Sequence, residues 1–167
     1  ASTWRPDDLA IPAAGVMTLD GSFIARAVER IDAVKIHFAQ GSLARQDISA
    51  IFLRPLSIVA AKKLHEKSGG ALLMDGAFTE GKLLALNDQA VTVSSILFGL
   101  KKYSYGGEAV AVVFKPVSGP VPRRLFKLRD GSLLYAEKFL LKGKQIIFPD
   151  PPFNGFAVPF SELAELI

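Results

Sequence analysis

Three Asp-Gly pairs, Asp20-Gly21, Asp75-Gly76 and Asp130-Gly131, stand 55 residues apart along the chain. Asp-Gly between apolar runs is a strong hairpin signal, because Gly enters the left-handed backbone region and Asp bonds its own turn. Set in register, the three pairs bring the downstream residues into agreement as well. Eleven residues after each Asp stand Ile31, Leu86 and Leu141, each followed by a polar turn: Asp32-Ala33, Asn87-Asp88, Lys142-Gly143. A second strand then alternates: Val34, Ile36 and Phe38; Val91 and Val93; Ile146 and Phe148. Alternation of this period leaves one face buried and one exposed. Each unit closes on an acidic residue and an apolar strand: DISAIF from Asp47, EAVAVV from Glu108, ELAELI from Glu162. Pro55 and Pro116 stop the first two by withholding a ladder donor.

An internal repeat decides more about a fold than composition does. Short, bent strands packed into roughly 45 residues favour a small barrel, which hides its own edges. The expected fold is mainly β: three tandem small β-barrels with one short linker helix. Residues 1–56 carry an N-terminal arm and the first barrel. Residues 57–118 carry the helix and the second, and 119–167 a Pro-rich linker and the third. The helix is expected over 57–68, with Ser57 as its cap and Gly69-Gly70 as its stop. The linker is stiffened by Pro116, Pro120 and Pro122.

Half of the 167 residues are apolar, and mean hydropathy is +0.30. No apolar run reaches the 18 or so residues of a membrane-spanning helix. The excess apolar surface is therefore expected inside cores and against partner subunits. Absence of cysteine excludes disulfides, thiol catalysis and cysteine metal sites. The chain opens on Ala1-Ser2-Thr3. This is either a trimmed chain or a mature one left after signal-peptide cleavage, and the second reading places it in the periplasm or outside the cell. The net charge of +4 is spread along the chain: six basic against six acidic residues in 1–56, then seven against five in each of the other two parts.

In DGAFTEGKLLALNDQAVTV a Gly is followed after four residues by Gly81, an apolar strand and Asn87-Asp88. This resembles the first signature of the Sm-like family of small barrels, and the closing EAVAVVFKP and DISAIFLRP resemble its second. The preceding short helix fits the same order. The resemblance implies Sm-like or SH3-like barrels in which Asp75-Gly76 turns the first strand and Gly81 lets a long strand bend. Arg26 and Ala136 stand at the Gly81 position in the other two units, so the signature is complete only in the middle one. The family's RNA-contact residues find no match. The tandem arrangement also resembles accessory repeats of large secreted proteins of the Planctomycetes and Verrucomicrobia type.

Catalytic chemistry is hard to assemble from these residues. His37 alternates with apolar neighbours onto an outer face, and His65 lies on the helix; neither has ligands at metal spacing. No nucleophile elbow, phosphate loop or dinucleotide fingerprint occurs. The Asp-Gly carboxylates, one per barrel, are turn formers and not an acid–base set. Two aromatic stretches stand out as docking surfaces or as core: ILFGLKKYSY (96–105) and IIFPDPPFNGFAVPF (146–160). Rigid aromatics lose little entropy on binding.

The expected function is a non-enzymatic structural subunit, without metal or cofactor, that holds a larger protein assembly together through barrel edges and aromatic loops. It is expected to work as an oligomer or in a hetero-complex. Its expected partner-binding residues are Trp4, Phe98, Tyr103, Tyr105, Phe153 and Phe156. The alternative is an Sm-like RNA-binding protein using Lys101, Lys102, Arg123, Arg124, Lys127 and Arg129, since interleaved basic and aromatic residues stack on bases.

Overall fold

The computed structural model describes residues 10–65, 67–118 and 124–167. It is mainly β. The first segment runs β1 (Gly15–Thr18), β2 (Phe23–Ile24), β3 (Arg30–Ile31), β4 (Lys35–His37), β5 (Ser42–Ala44) and β6 (Ile48–Phe52). Helix α1 (Ile58–His65) follows, capped by Ser57, whose hydroxyl accepts the Ala60 N–H at 3.2 Å. The second segment runs β7 (Gly70–Leu73), β8 (Phe78–Glu80), β9 (Lys82–Leu86), β10 (Ala90–Ser95), β11 (Gly99–Ser104) and β12 (Ala109–Val113). The third runs β13 (Arg124–Leu128), β14 (Leu133–Ala136), β15 (Leu140–Lys142), β16 (Gln145–Phe148), β17 (Phe156–Pro159) and β18 (Leu163–Leu166).

The Asp-Gly turns are alike in all three. Asp20, Asp75 and Asp130 each accept a backbone N–H two residues on, at 2.9–3.0 Å, through Oδ1. Gly21, Gly76 and Gly131 take φ of 88°, 91° and 98°. The second turn is made by Asp32 and Asn87, whose Oδ1 atoms each accept two backbone N–H groups.

The strands assemble differently from the expected closed barrels. A nine-stranded sheet has the order β18-β13-β14-β2-β1-β6-β12-β7-β8, and three small sheets are β3-β4-β5, β9-β10-β11 and β15-β16-β17. Each segment thus gives three strands to the common sheet and three to its own small one, and no ladder closes on itself. The reason is that edges a lone barrel must satisfy alone are satisfied here by a neighbour. Strand β6 pairs with β12, and β2 with β14.

Alternation along the common sheet separates two cores. Val16, Ile24, Ile48, Ile51, Ala71, Val112, Phe126 and Leu134 face the three small sheets and join Ile36, Val91 and Ile146. Met17, Phe23, Ala50, Phe52, Leu72 and Val113 face the other way and are covered by Ala61 and Leu64 of α1 and by Ile11. The helix is therefore the lid of the second core rather than a spacer between barrels.

Gly81 behaves as its sequence context suggests. It joins β8 to β9 in one bent run, and an added Cβ would lie 2.3 Å from the Ser94 carbonyl oxygen. Backbone contact that close leaves room for no side chain.

Candidate functional site

Hairpin β10–β11 is regular: Ala90 to Ser95 face Ser104 to Gly99 without interruption. The turn holds Ile96, Leu97 and Phe98, tied by the Phe98 N–H donating to Ser95 Oγ at 3.2 Å. Three-residue turns ordinarily carry polar or flexible residues. Here Ile96 is 100% exposed, Leu97 84%, Phe98 68% and Leu100 on β11 68%. Lys101 and Lys102 follow, also exposed. Beneath the tip an open cleft of about 1080 Å³ is lined by Phe78, Gly81, Leu83, Leu97, Phe98 and Phe114, among others. Such a run of exposed apolar side chains is uncommon on a monomer's surface, and the cleft at its foot mixes these apolar residues with Ser68, Glu80, Lys82 and Lys115.

The tyrosines of the same stretch turn inward. Tyr103 is half-buried and shares a 2.7 Å hydrogen bond with Thr79, tying β11 to β8. Tyr105 packs against the larger core, its hydroxyl buried without a hydrogen-bond partner among the described residues, and burial pushes its pKa well above the usual tyrosine value. Both hold the hairpin to the body.

Phe153 and Phe156 are buried too. Gly155 N–H donates to the Phe148 carbonyl at 2.7 Å, and Phe153 and Asn154 donate to that of Asp150, so the loop folds back on itself. Their rings continue a line of ring contacts through Phe126–Phe148 at 5.0 Å, Phe148–Phe153 at 5.5 Å and Phe153–Phe156 at 6.3 Å. Phe38 of the first segment lies 6.2 Å from Phe156, and the Arg26 guanidinium lies over that ring at 4.8 Å. This loop joins two segments; Phe98 alone of the expected aromatics stands exposed, with Trp4 outside the described residues.

The basic residues fall into two places. Arg124 and Arg129 are exposed beside β18, and Lys127 lies 3.9 Å from Glu165. Lys101 and Lys102 belong to the second segment, whose β12 stands five strands from β13. Lys101 and Lys102 themselves stand on β11, in the second segment's own small sheet, where they face Val93 and Thr92 of β10. Arg123 lies outside the described residues.

His37 is less exposed than its alternation implies. Its Nε2 lies 2.7 Å from Asp32 Oδ2, and the Arg30 guanidinium is 3.3 Å away. The His37 bond, with backbone bonds from Lys35 and Val34, holds the Asp32 carboxyl well below the usual carboxylate range. Asp32 is thus both a turn former and an ion-pair partner, which spacing alone does not reveal. Among the described residues no three acidic or histidine side chains gather to hold a metal.

Of this tip only Phe98 is among the partner-binding residues expected from the sequence; Ile96, Leu97 and Leu100 are not. A signal was present: hairpin registry puts three consecutive large apolar residues between Ser95 and Gly99, where no core can reach them. No family model, curated protein or solved structure matches the chain.

Proposed function

We propose that this chain is a non-enzymatic interaction subunit that helps hold a larger protein assembly together. In this reading its three segments are open relatives of SH3-like or Sm-like barrels, fused through a shared sheet. The observation that supports it most is the tip Ile96-Leu97-Phe98, which none of the described residues covers. Hiding three such side chains in a partner is worth roughly 1.5–3 kcal/mol each before the cost of association. The complementary partner is a protein offering an apolar groove for the tip, or an extended apolar segment for the cleft beneath it. The split basic groups give the nucleic-acid alternative no comparable support.

A photo-reactive residue placed at Phe98 in the full-length protein, in its native source, tests this. One protein species, captured in amounts that follow the subunit and resist nuclease, supports the reading. Capture must fall at least tenfold when Leu97→Ser is added. Capture of nucleic acid or lipid alone, or none in the intact assembly, overturns it.

A further inference from the structure

The common sheet has two junctions between segments, and both are built on local two-fold symmetry. At the first, Ile51 faces Val112, Phe52 faces Ala111 and Ala50 faces Val113. Ile51 and Val112 are counterparts, for within their own segments they face Val16 and Ala71, which are 55 residues apart. Ile51 thus meets its own equivalent, while Phe52 and Ala50 each meet the equivalent of the other, which is the pattern of an isologous interface between two identical chains.

The second junction follows the same rule. Phe23 faces Leu133, its counterpart 110 residues on. The Ser22 hydroxyl accepts the Tyr135 N–H at 2.9 Å, and the Ser132 hydroxyl accepts the Ala25 N–H at 2.8 Å.

Among the described residues the third closing strand, β18, stands at the end of the sheet with only β13 beside it. Leu166 faces Phe126, so it is the counterpart of Ile51 and Val112. Leu125 and Ile167 exchange both backbone hydrogen bonds, at 2.9 and 3.2 Å. In an antiparallel ladder the next residue then points its N–H and C=O away from that neighbour. Those outward groups of Leu166 correspond to the ones that join β6 to β12. Leu166 is 42% exposed and Ile167 61%.

We propose that a second copy of this chain pairs with the first through β18, antiparallel about a two-fold axis, with Leu166 opposite the partner's Leu166. The common sheet then continues unbroken across the dimer. Glu165 replaces the alanines Ala50 and Ala111, but the register puts it opposite the partner's Ile167 and not the partner's Glu165. On its own chain it lies 3.9 Å from the Lys127 ammonium. The opposite edge, β8, has Ala77 where the other junction uses Ser22 and Ser132, and lacks the hydroxyl that this pairing requires. So short a ladder makes a small interface, and a reversible dimer is the expected product.

This proposal uses a surface remote from the hairpin tip, and the two fail separately. Sedimentation velocity on the full chain is expected to show a concentration-dependent dimer. Leu166→Pro removes the outward N–H while leaving the ladder to β13, and is expected to weaken the dimer at least tenfold; Phe98→Ser is expected to leave it unchanged. Because the chain has no cysteine, Leu166→Cys supplies a sole thiol. Opposed residues about 5.5 Å apart are within disulfide reach, so oxidation should trap a covalent dimer. Leu163→Cys, displaced by six residues from its own copy in this register, should not. A monomer at every concentration, a dimer abolished by Phe98→Ser and not by Leu166→Pro, or equal trapping at both cysteines overturns the proposal. If Leu166→Pro fails to fold, the trapping pair decides alone.

Discussion

The two aromatic stretches of this chain, both rich in large apolar residues, have opposite fates. Around Phe153 and Phe156 the backbone folds back through four turn hydrogen bonds and drives the rings into the core. Around Phe98 the hairpin runs on in register until Ile96, Leu97 and Phe98 project from the body. An aromatic loop is therefore not a docking surface by composition. What decides is whether its backbone returns to the sheet or leaves it, and whether a neighbouring segment lies within reach.

Exchanging ring for methyl is the sharpest way to separate the two loops. Phe156→Ala removes contacts with Phe38, Phe153 and Arg26 and is expected to destabilise by about 3–5 kcal/mol. Phe98→Ala is expected to stay within about 0.5 kcal/mol of the parent. Urea unfolding of both variants measures the contrast, and comparable losses would erase it.

The next largest effect concerns what supports the exposed loop. Gly81→Ala drives a methyl against the Ser94 carbonyl at the foot of the hairpin and is expected to cost roughly 1–3 kcal/mol. Thermal unfolding gives the loss. Hydrogen exchange should place the faster-exchanging amides in β8 to β11 and leave β13 to β17 unchanged.

The buried loop depends instead on the third segment staying docked. Ser22→Ala leaves the Tyr135 N–H without its acceptor, at an expected cost of about 1–2 kcal/mol. Loss of protection confined to β2 and β14 would locate it. No change would mean that the Ser132–Ala25 bond, the Phe23–Leu133 pairing and the aromatic line through Phe156 and Phe38 hold the junction without it.

The smallest effect lies in the first segment, which has neither loop. Asp32 is held below its ordinary value of 3.8 by His37 and backbone donors. A carboxyl depressed by folding stabilises the folded state above its unfolded value and loses that contribution as pH falls through it. Stability should therefore drop below about pH 4, and Asp32→Asn should flatten that drop while keeping the turn, as Asn87 does in the second segment. Denaturant midpoints between pH 3 and pH 7 measure it; an unchanged slope would deny the pair a role.

How much of this was legible in the sequence can be judged residue by residue. The Asp-Gly turns were, because Asx hydrogen bonding and positive φ are local properties of two residues. Strand alternation at Ile36, Val91 and Ile146 was legible for the same reason, and so was the helix behind Ser57. Leu141 was not: it stands where Ile31 and Leu86 are buried, yet is 64% exposed. Its surroundings depend on the third segment's place in the sheet, which no local pattern encodes. The pairing of His37 with Asp32 needed the turn of β3 into β4 to bring the two together.

The sequence by itself determined where the Asp-Gly turns fall and how the strands around Ile36, Val91 and Ile146 alternate. These features follow from short-range sterics and hydrogen bonding. Only the tertiary structure decided that the three segments share one sheet where closed barrels were expected, that α1 lids a second core, and which aromatics stay outside. Edge pairing and burial are long-range, and a strand's chemistry states that its edge must be covered without stating by which neighbour.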